Sequence, residues 1–227
     1  MADSTGRALS LRVVVFDVNE TLSDMSPLRR RLVDVGLAAD RLDAWFAGVL
    51  RDGFALAAAG DARPFGEIAG ANLGVPPDAA AHVLAGFAEL DVHPDVAAGM
   101  RELAASGYRL VTLTNGSAGM SEAMFARAGV LDVLEHRLSV EDAGRWKPAR
   151  EPYEYAARVC RVEPAQMALV AVHPWDVHGA QRAGLTGVWV NRAHTDYPAY
   201  LPDPDVVVDA VTGLAGALSR RDPPRPR

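Results

Sequence analysis

Near the N-terminus a short run, Arg12-Val-Val-Val-Phe16, ends in Asp17. Three successive β-branched residues followed by an aromatic favour extended backbone. The lack of polar alternation marks a strand buried on both faces, one that delivers an acid at its C-terminal end. Leu110 to Leu113, Met167 to Val172, Gly187 to Val190 and Val206 to Val208 are further apolar runs of strand length. Between them lie helical patterns over Pro94 to Ser106, Ala118 to Ala128, Glu151 to Val162 and Val177 to Ala183. Strands alternating with helices predict an α/β fold with a Rossmann-like parallel sheet and helices on both faces. Ligands of such sheets bind beyond the carboxyl ends of the strands.

One region breaks the alternation. From about Asp24 to Val92 no convincing strand is found. Apolar-periodic segments at Leu28 to Val35, Leu42 to Ala59, Phe65 to Asn72 and Ala79 to Phe87 are separated by Gly60, Asp61, Gly74, Pro76 and Pro77. This reads as an inserted subdomain of four helices, a cap over residues 24–92. The core is then 1–23 and 93–227. The chain, at 227 residues, is long enough for a core domain carrying such an insertion.

The formal net charge of −6 lacks the basic excess of a non-specific nucleic-acid binder. The lone cysteine, Cys160, forms no intrachain disulfide and reads as a small side chain in a helix. No segment approaches the roughly 20 apolar residues of a membrane span, and the first ten residues lack a signal-type apolar run. A cytoplasmic protein is expected, without nucleic acid or membrane as partner. The tail RRDPPRPR is expected to fray, with a basic docking tail as the alternative.

Four short elements fall at strand ends or helix starts: Phe16 to Leu22, Leu113 to Gly116, Lys147-Pro148, and Val172 to Asp176. They can converge on one rim. A carboxylate can attack carbon or phosphorus if held close and kept ionised. Asp17 is the candidate nucleophile, and Lys147 would keep it charged. Thr114, Asn115 and the amides near Gly116 can donate to an anionic small-molecule substrate. Asp176 would orient Lys147 or activate water. Plainer roles exist for each: Asp17 as a turn cap, Lys147 as a solvated lysine, Asp176 as the N-cap of the next helix. His173 reads either as a structural imidazole or as a residue that orients water. Trp45, Phe46 and Phe54 have the helical spacing of cap packing, and Phe46 is also a candidate substrate contact. No pair of His or Cys shows metal-ligand spacing, and neither metal nor cofactor is required.

At these residues the chain resembles the haloacid dehalogenase superfamily, and within it the type II L-2-haloacid dehalogenases. The resemblance runs from about Val13 to Leu218. It rests on Leu113-Thr-Asn-Gly-Ser117, on Lys147-Pro148 with Tyr153 six residues after the lysine, and on Trp175-Asp176 followed by Gly179-Ala180 and Val188-Trp-Val-Asn-Arg192. It implies that Asp17 displaces halide from a 2-haloacid with inversion, forming an aspartyl ester that water then hydrolyses. Thr21 would orient Asp17, Thr114 and Asn115 would hold the substrate carboxylate, Lys147 and Tyr153 would support the charged centre, and Asp176 would help the water. A homodimer is implied as well.

The chain departs from the patterns of the families it resembles at named positions. Superfamily phosphatases carry a second aspartate where this chain has Asn19, and an acidic magnesium ligand where it has Val172. The dehalogenases carry Tyr-Gly where it has Asn19-Glu20, and Ser and Asn where it has Ala171 and His173. A cap arginine that receives halide aligns with Phe46, and Arg51 lies one turn further on. A magnesium-dependent phosphatase and a non-catalytic binder of a small anion or protein remain the alternatives.

Overall fold

The computed structural model describes residues 10–221, and the expectations for the N-terminal leader and for the proline-rich end of the tail lie outside them. Among the described residues six strands form one parallel sheet. They are β1 (Val13–Phe16), β2 (Arg109–Thr114), β3 (Leu134–Ser139), β4 (Met167–Ala171), β5 (Thr186–Val190) and β6 (Val206–Val208), in the order β3-β2-β1-β4-β5-β6. β1 lies between β2 and β4, and its four residues are fully buried. Its side chains alternate between two cores, as the period of a strand requires. Val14 and Phe16 join one cluster, Val13 and Val15 the other.

Helices cover both faces. α5 (Val96–Ala105) and α10 (Leu214–Arg221) bring Val96, Met100, Leu103, Leu214 and Leu218 to the first cluster. α8 (Arg150–Cys160) and α9 (Pro174–Arg182) bring Tyr153, Ala156, Cys160, Val177 and Ala180 to the second. α6 (Glu122–Arg127) follows β2, and the short α7 (Val140–Ala143) follows β3. Cys160 is buried and free.

Four helices intervene between β1 and α5: α1 (Leu28–Asp34), α2 (Arg41–Ala59), α3 (Phe65–Leu73) and α4 (Pro77–Ala85). Their boundaries fall within about two residues of those read from periodicity. The glycines after α2 and α3, Gly60 and Gly74, take left-handed conformations that stop each helix. The chain enters and leaves this helical segment through a paired stem, in which Ser23 bridges Val92, the Asp24 amide donates to the Asp91 carbonyl, and the His93 amide to the Leu22 carbonyl. No helix among the described residues is long and apolar enough to cross a membrane.

Several elements differ from the sequence reading. β3 escapes it because the strand is an edge whose middle residues, Glu135, His136 and Arg137, are polar and partly solvated. α9 starts at Pro174, three residues early, because proline suits the first helical position. The segment expected as one helix over Ala118 to Ala128 opens with a 3-10 turn, Ala118–Ser121. α10 was not anticipated.

Candidate active site

The register aligns the carboxyl ends of three strands. Phe16 pairs with Thr112 on one side and Val170 on the other, so Asp17, Thr114 and the Val172–Asp176 turn leave the sheet on the same edge. Asp17 is 4% exposed there. Its Oδ1 accepts from Lys147 Nζ at 2.9 Å. Its Oδ2 accepts from the Thr21 hydroxyl at 2.6 Å and lies 3.2 Å from His173 Nδ1. The Thr21 oxygen in turn accepts from the Val172 amide at 3.1 Å, which ties the turn after β1 to the end of β4.

Lys147 is fully buried, and three acceptors take its ammonium: Asp17, Asp176 Oδ2 at 2.6 Å, and the Leu113 carbonyl at 2.8 Å. A buried ammonium is tolerable only when so completely satisfied. Asp176, equally buried, accepts the Tyr153 hydroxyl on its other oxygen at 2.6 Å. The N-cap of α9 is His173, so the Asp176 carboxylate is turned to the lysine and not to the helix amides.

Charge balance sets the ionisation. Burial opposes charge on Asp17 more than any single contact, yet Lys147, His173 and Thr21 together hold it well below the usual carboxylate range. Burial likewise opposes charge on Lys147, and the two carboxylates overcome it and raise its pKa. Burial raises Asp176, with the nearby Asp17 charge adding to it against the pull of Lys147. Burial and then Asp176 push Tyr153 well above its ordinary value, so its hydroxyl stays a donor. His173 is pushed up to about 9: burial resists, but hydrogen bonds to Asp17 and Glu20 prevail.

Ten residues were expected at the site, and the fold brings the central ones together. Asn115 differs from the expectation that it holds substrate. Its side-chain oxygen accepts the Lys147 amide at 2.9 Å and its amide donates to the Lys147 carbonyl at 3.3 Å, so it clamps the lysine's backbone. Thr114 Oγ1 accepts the Gly116 amide at 2.9 Å. Thr114, Asn19 and Ser117 line a cavity of about 350 Å³, counting its open mouth, whose apolar wall includes Phe65 of α3 and Met120. Phe46 of α2 is buried with its ring 6.3 Å from His173, so the helical segment lies against this end of the sheet. Phe54 meets Trp175 at 4.8 Å. Arg51 is 73% exposed and paired with Asp52.

Glu20 is the residue the sequence reading passed over. It adopts a φ of 62°, its carboxylate lies 2.8 Å from His173 Nε2, and its carbonyl lies 3.1 Å from His93 Nε2. The available signal was the glycine that the resembling family carries there, since glycine marks a position of positive φ.

Magnesium does not suit this donor set. Val172 supplies no ligand, Asn19 is neutral, and all four oxygens of Asp17 and Asp176 already accept from protein donors. Among the described residues no three His, Cys, Asp or Glu side chains group as a metal site.

A buried strand-end carboxylate held by a lysine, on a parallel sheet with a helical insertion after β1, defines a class of hydrolases. The model of haloacid dehalogenase-like hydrolases matches residues 11–184, and the chain belongs to that family. An (S)-2-haloacid dehalogenase of Pseudomonas sp. (strain YL) is 30% identical over 131 residues, covering 58% of this chain and 54% of the relative. A plasmid phosphoglycolate phosphatase of Cupriavidus necator is 31% identical over 130 residues, 56% of each chain. The chain thus spans about half the length of these curated relatives. A crystal structure of an L-2-haloacid dehalogenase superposes with a TM-score of 0.84 at 26% identity, covering 92% of this chain and 98% of the other.

Proposed function

We propose that this chain hydrolyses small 2-haloacids through an ester on Asp17. The observation that carries the reading is the buried Lys147 bonded to both Asp17 and Asp176, which keeps a nucleophilic carboxylate ionised beside the cavity. An Asp17 oxygen attacks C2 of the acid from the face opposite the halogen, and halide departs with the electron pair of the carbon–halogen bond. Holding the reactants in line supplies about 7–11 kcal/mol in favourable cases. Water then attacks the Asp17 carboxyl carbon and releases a 2-hydroxy acid. Thr21 fixes the Asp17 rotamer, Tyr153 and Asp176 fix Lys147, and Asn115 fixes the lysine's backbone. Thr114 and Asn19, on the cavity wall, face the substrate carboxylate. Phe46 and its neighbours exclude water from above.

The same reading takes residues 24–92 as the cap and the remainder as the core, with the paired stem at Ser23 and Val92 supporting that division. A cytoplasmic homodimer is its expected form, to be checked by sedimentation and cell fractionation. The phosphatase relative favours a second reading in which Asp17 attacks phosphorus, and the donor set of the site speaks against it.

The test is halide release from 2-chloro, 2-bromo and 2-fluoro acids with EDTA present. Release by the wild type and none by a folded Asp17→Asn variant is expected. No halide from any acid, with turnover of phosphate esters in magnesium, would transfer the reading to the phosphatase.

A further inference from the structure

Hydrolysis of an ester on Asp17 needs a base close to the Asp17 carboxyl group, and most groups around it are already committed. Lys147 has no lone pair and its ammonium meets three acceptors. Asp176 is inaccessible, with one oxygen on Lys147 and the other on Tyr153. Thr21 donates to Asp17 and accepts from the Val172 amide. Asn115 has both amide atoms on the backbone of Lys147. His173 is the remaining contact. Its Nδ1 faces Asp17 Oδ2 and its Nε2 faces Glu20, an arrangement in which a second carboxylate orients the ring.

Two further observations converge on this pair. His173 and Glu20 also line a cleft of about 920 Å³, counting open solvent, distinct from the cavity lined by Thr114. The imidazole thus touches both the reacting carboxyl and the solvent-filled cleft. Glu20 also holds its positive φ, a conformation disfavoured for a residue with a Cβ, which strained functional positions tolerate.

We propose that His173, oriented by Glu20, is the general base that breaks the Asp17 ester, drawing water from this cleft. The proposal rests on the hydrolase reading above. In the resting site His173 carries both ring protons, one toward Asp17 and one toward Glu20. Alkylation removes the Asp17 charge, and the Nδ1 proton leaves to the cleft, which accounts for the proton released with each halide. Neutral Nδ1 then takes a proton from water as the water oxygen bonds to the Asp17 carboxyl carbon. The carbon–alkoxide bond breaks, the alkoxide takes that proton from Nδ1, and the new carboxyl gives its own proton back to Nδ1. The resting state is restored. His173 is a poor halide receiver, since a ring bonded to the attacking carboxylate stands on the wrong side of the substrate carbon for an in-line leaving group.

General bases contribute about 10²–10⁴-fold. The experiment mixes 2-chloro or 2-bromo acid with His173→Asn and Glu20→Gln, follows halide in the first turnover and later ones, and weighs the acid-quenched protein by mass spectrometry. The expected result for His173→Asn is one halide per site in the first turnover, then turnover slowed by at least about 100-fold relative to wild type, with the ester mass accumulating. Glu20→Gln, a positioning change, is expected to lower kcat and KM together by about 10-fold and leave kcat/KM unchanged, because only the second step is slowed. Wild-type turnover by His173→Asn, or loss of its first-turnover halide, overturns the base assignment while the hydrolase reading stands. No halide from the wild type overturns both.

Discussion

Lys147 Nζ lies 2.6 Å from Asp176 Oδ2 with both side chains fully buried, a tighter contact than the lysine makes with Asp17. The lysine is thus anchored from below by a residue that itself rests on Tyr153. Replacing Lys147 by Met leaves two buried carboxylates without their cation. A loss of about 3–5 kcal/mol is expected, read by urea unfolding at pH 7, with halide release abolished. The deficit should shrink on acidification, as the orphaned carboxylates take up protons.

Gly179 on α9 packs against the same network. A Cβ built there would lie 2.6 Å from the Tyr153 hydroxyl oxygen and 2.7 Å from Pro148 Cβ. Gly179→Ala is expected to cost about 1–3 kcal/mol by overpacking and to displace Tyr153 from Asp176. Thermal unfolding and halide release should fall together. A stable Gly179→Ala with reduced turnover would locate the effect in the Tyr153 contact alone.

His173 makes stability pH-dependent on the alkaline side. Its folded pKa of about 9 exceeds the ordinary 6.5. A raised pKa means stability fully present below the unfolded value and lost as pH rises through the folded one. The stability gap between wild type and His173→Asn should therefore be widest near pH 6 and narrow by pH 10. Urea titrations at three pH values check this, and a gap independent of pH would show that folding leaves the imidazole's pKa unshifted.

Asp17 has the opposite sign. Its lowered pKa contributes stability above the unfolded carboxylate value of about 4, lost as pH falls below it. Asp17→Asn should flatten the acid limb of the unfolding profile relative to wild type.

Arg51 is 73% exposed and is paired with Asp52. Arg51→Ala should leave halide release within about two-fold of wild type, the scatter of exposed substitutions. A larger loss would mean that α2 rearranges to bring this guanidinium over the substrate.

Much of the architecture is legible locally. The Val13–Phe16 run can only be a buried strand, the helices of residues 28–85 follow from apolar periodicity and from glycine and proline stops, and Thr21 follows Asp17 closely enough for its hydroxyl to reach the carboxylate by local folding. Polar edge strand β3 was invisible because pairing, not pattern, makes it a strand. Asp17, Lys147 and Asp176 are recognisable as types in the sequence, since a strand-end acid and a lysine before a helix carry their own signal. Their bonding is not, because 130 residues separate Asp17 from Lys147. Which oxygen each donor takes, that Asn115 clamps the lysine backbone, and that Glu20 rather than Asp176 lies beside an accessible imidazole are outcomes of packing. Sequence determines the propensity of each segment, through forces that act over a few residues. Tertiary structure alone decides which buried polar groups satisfy one another, because that choice is made only when distant strand ends are brought out of water together.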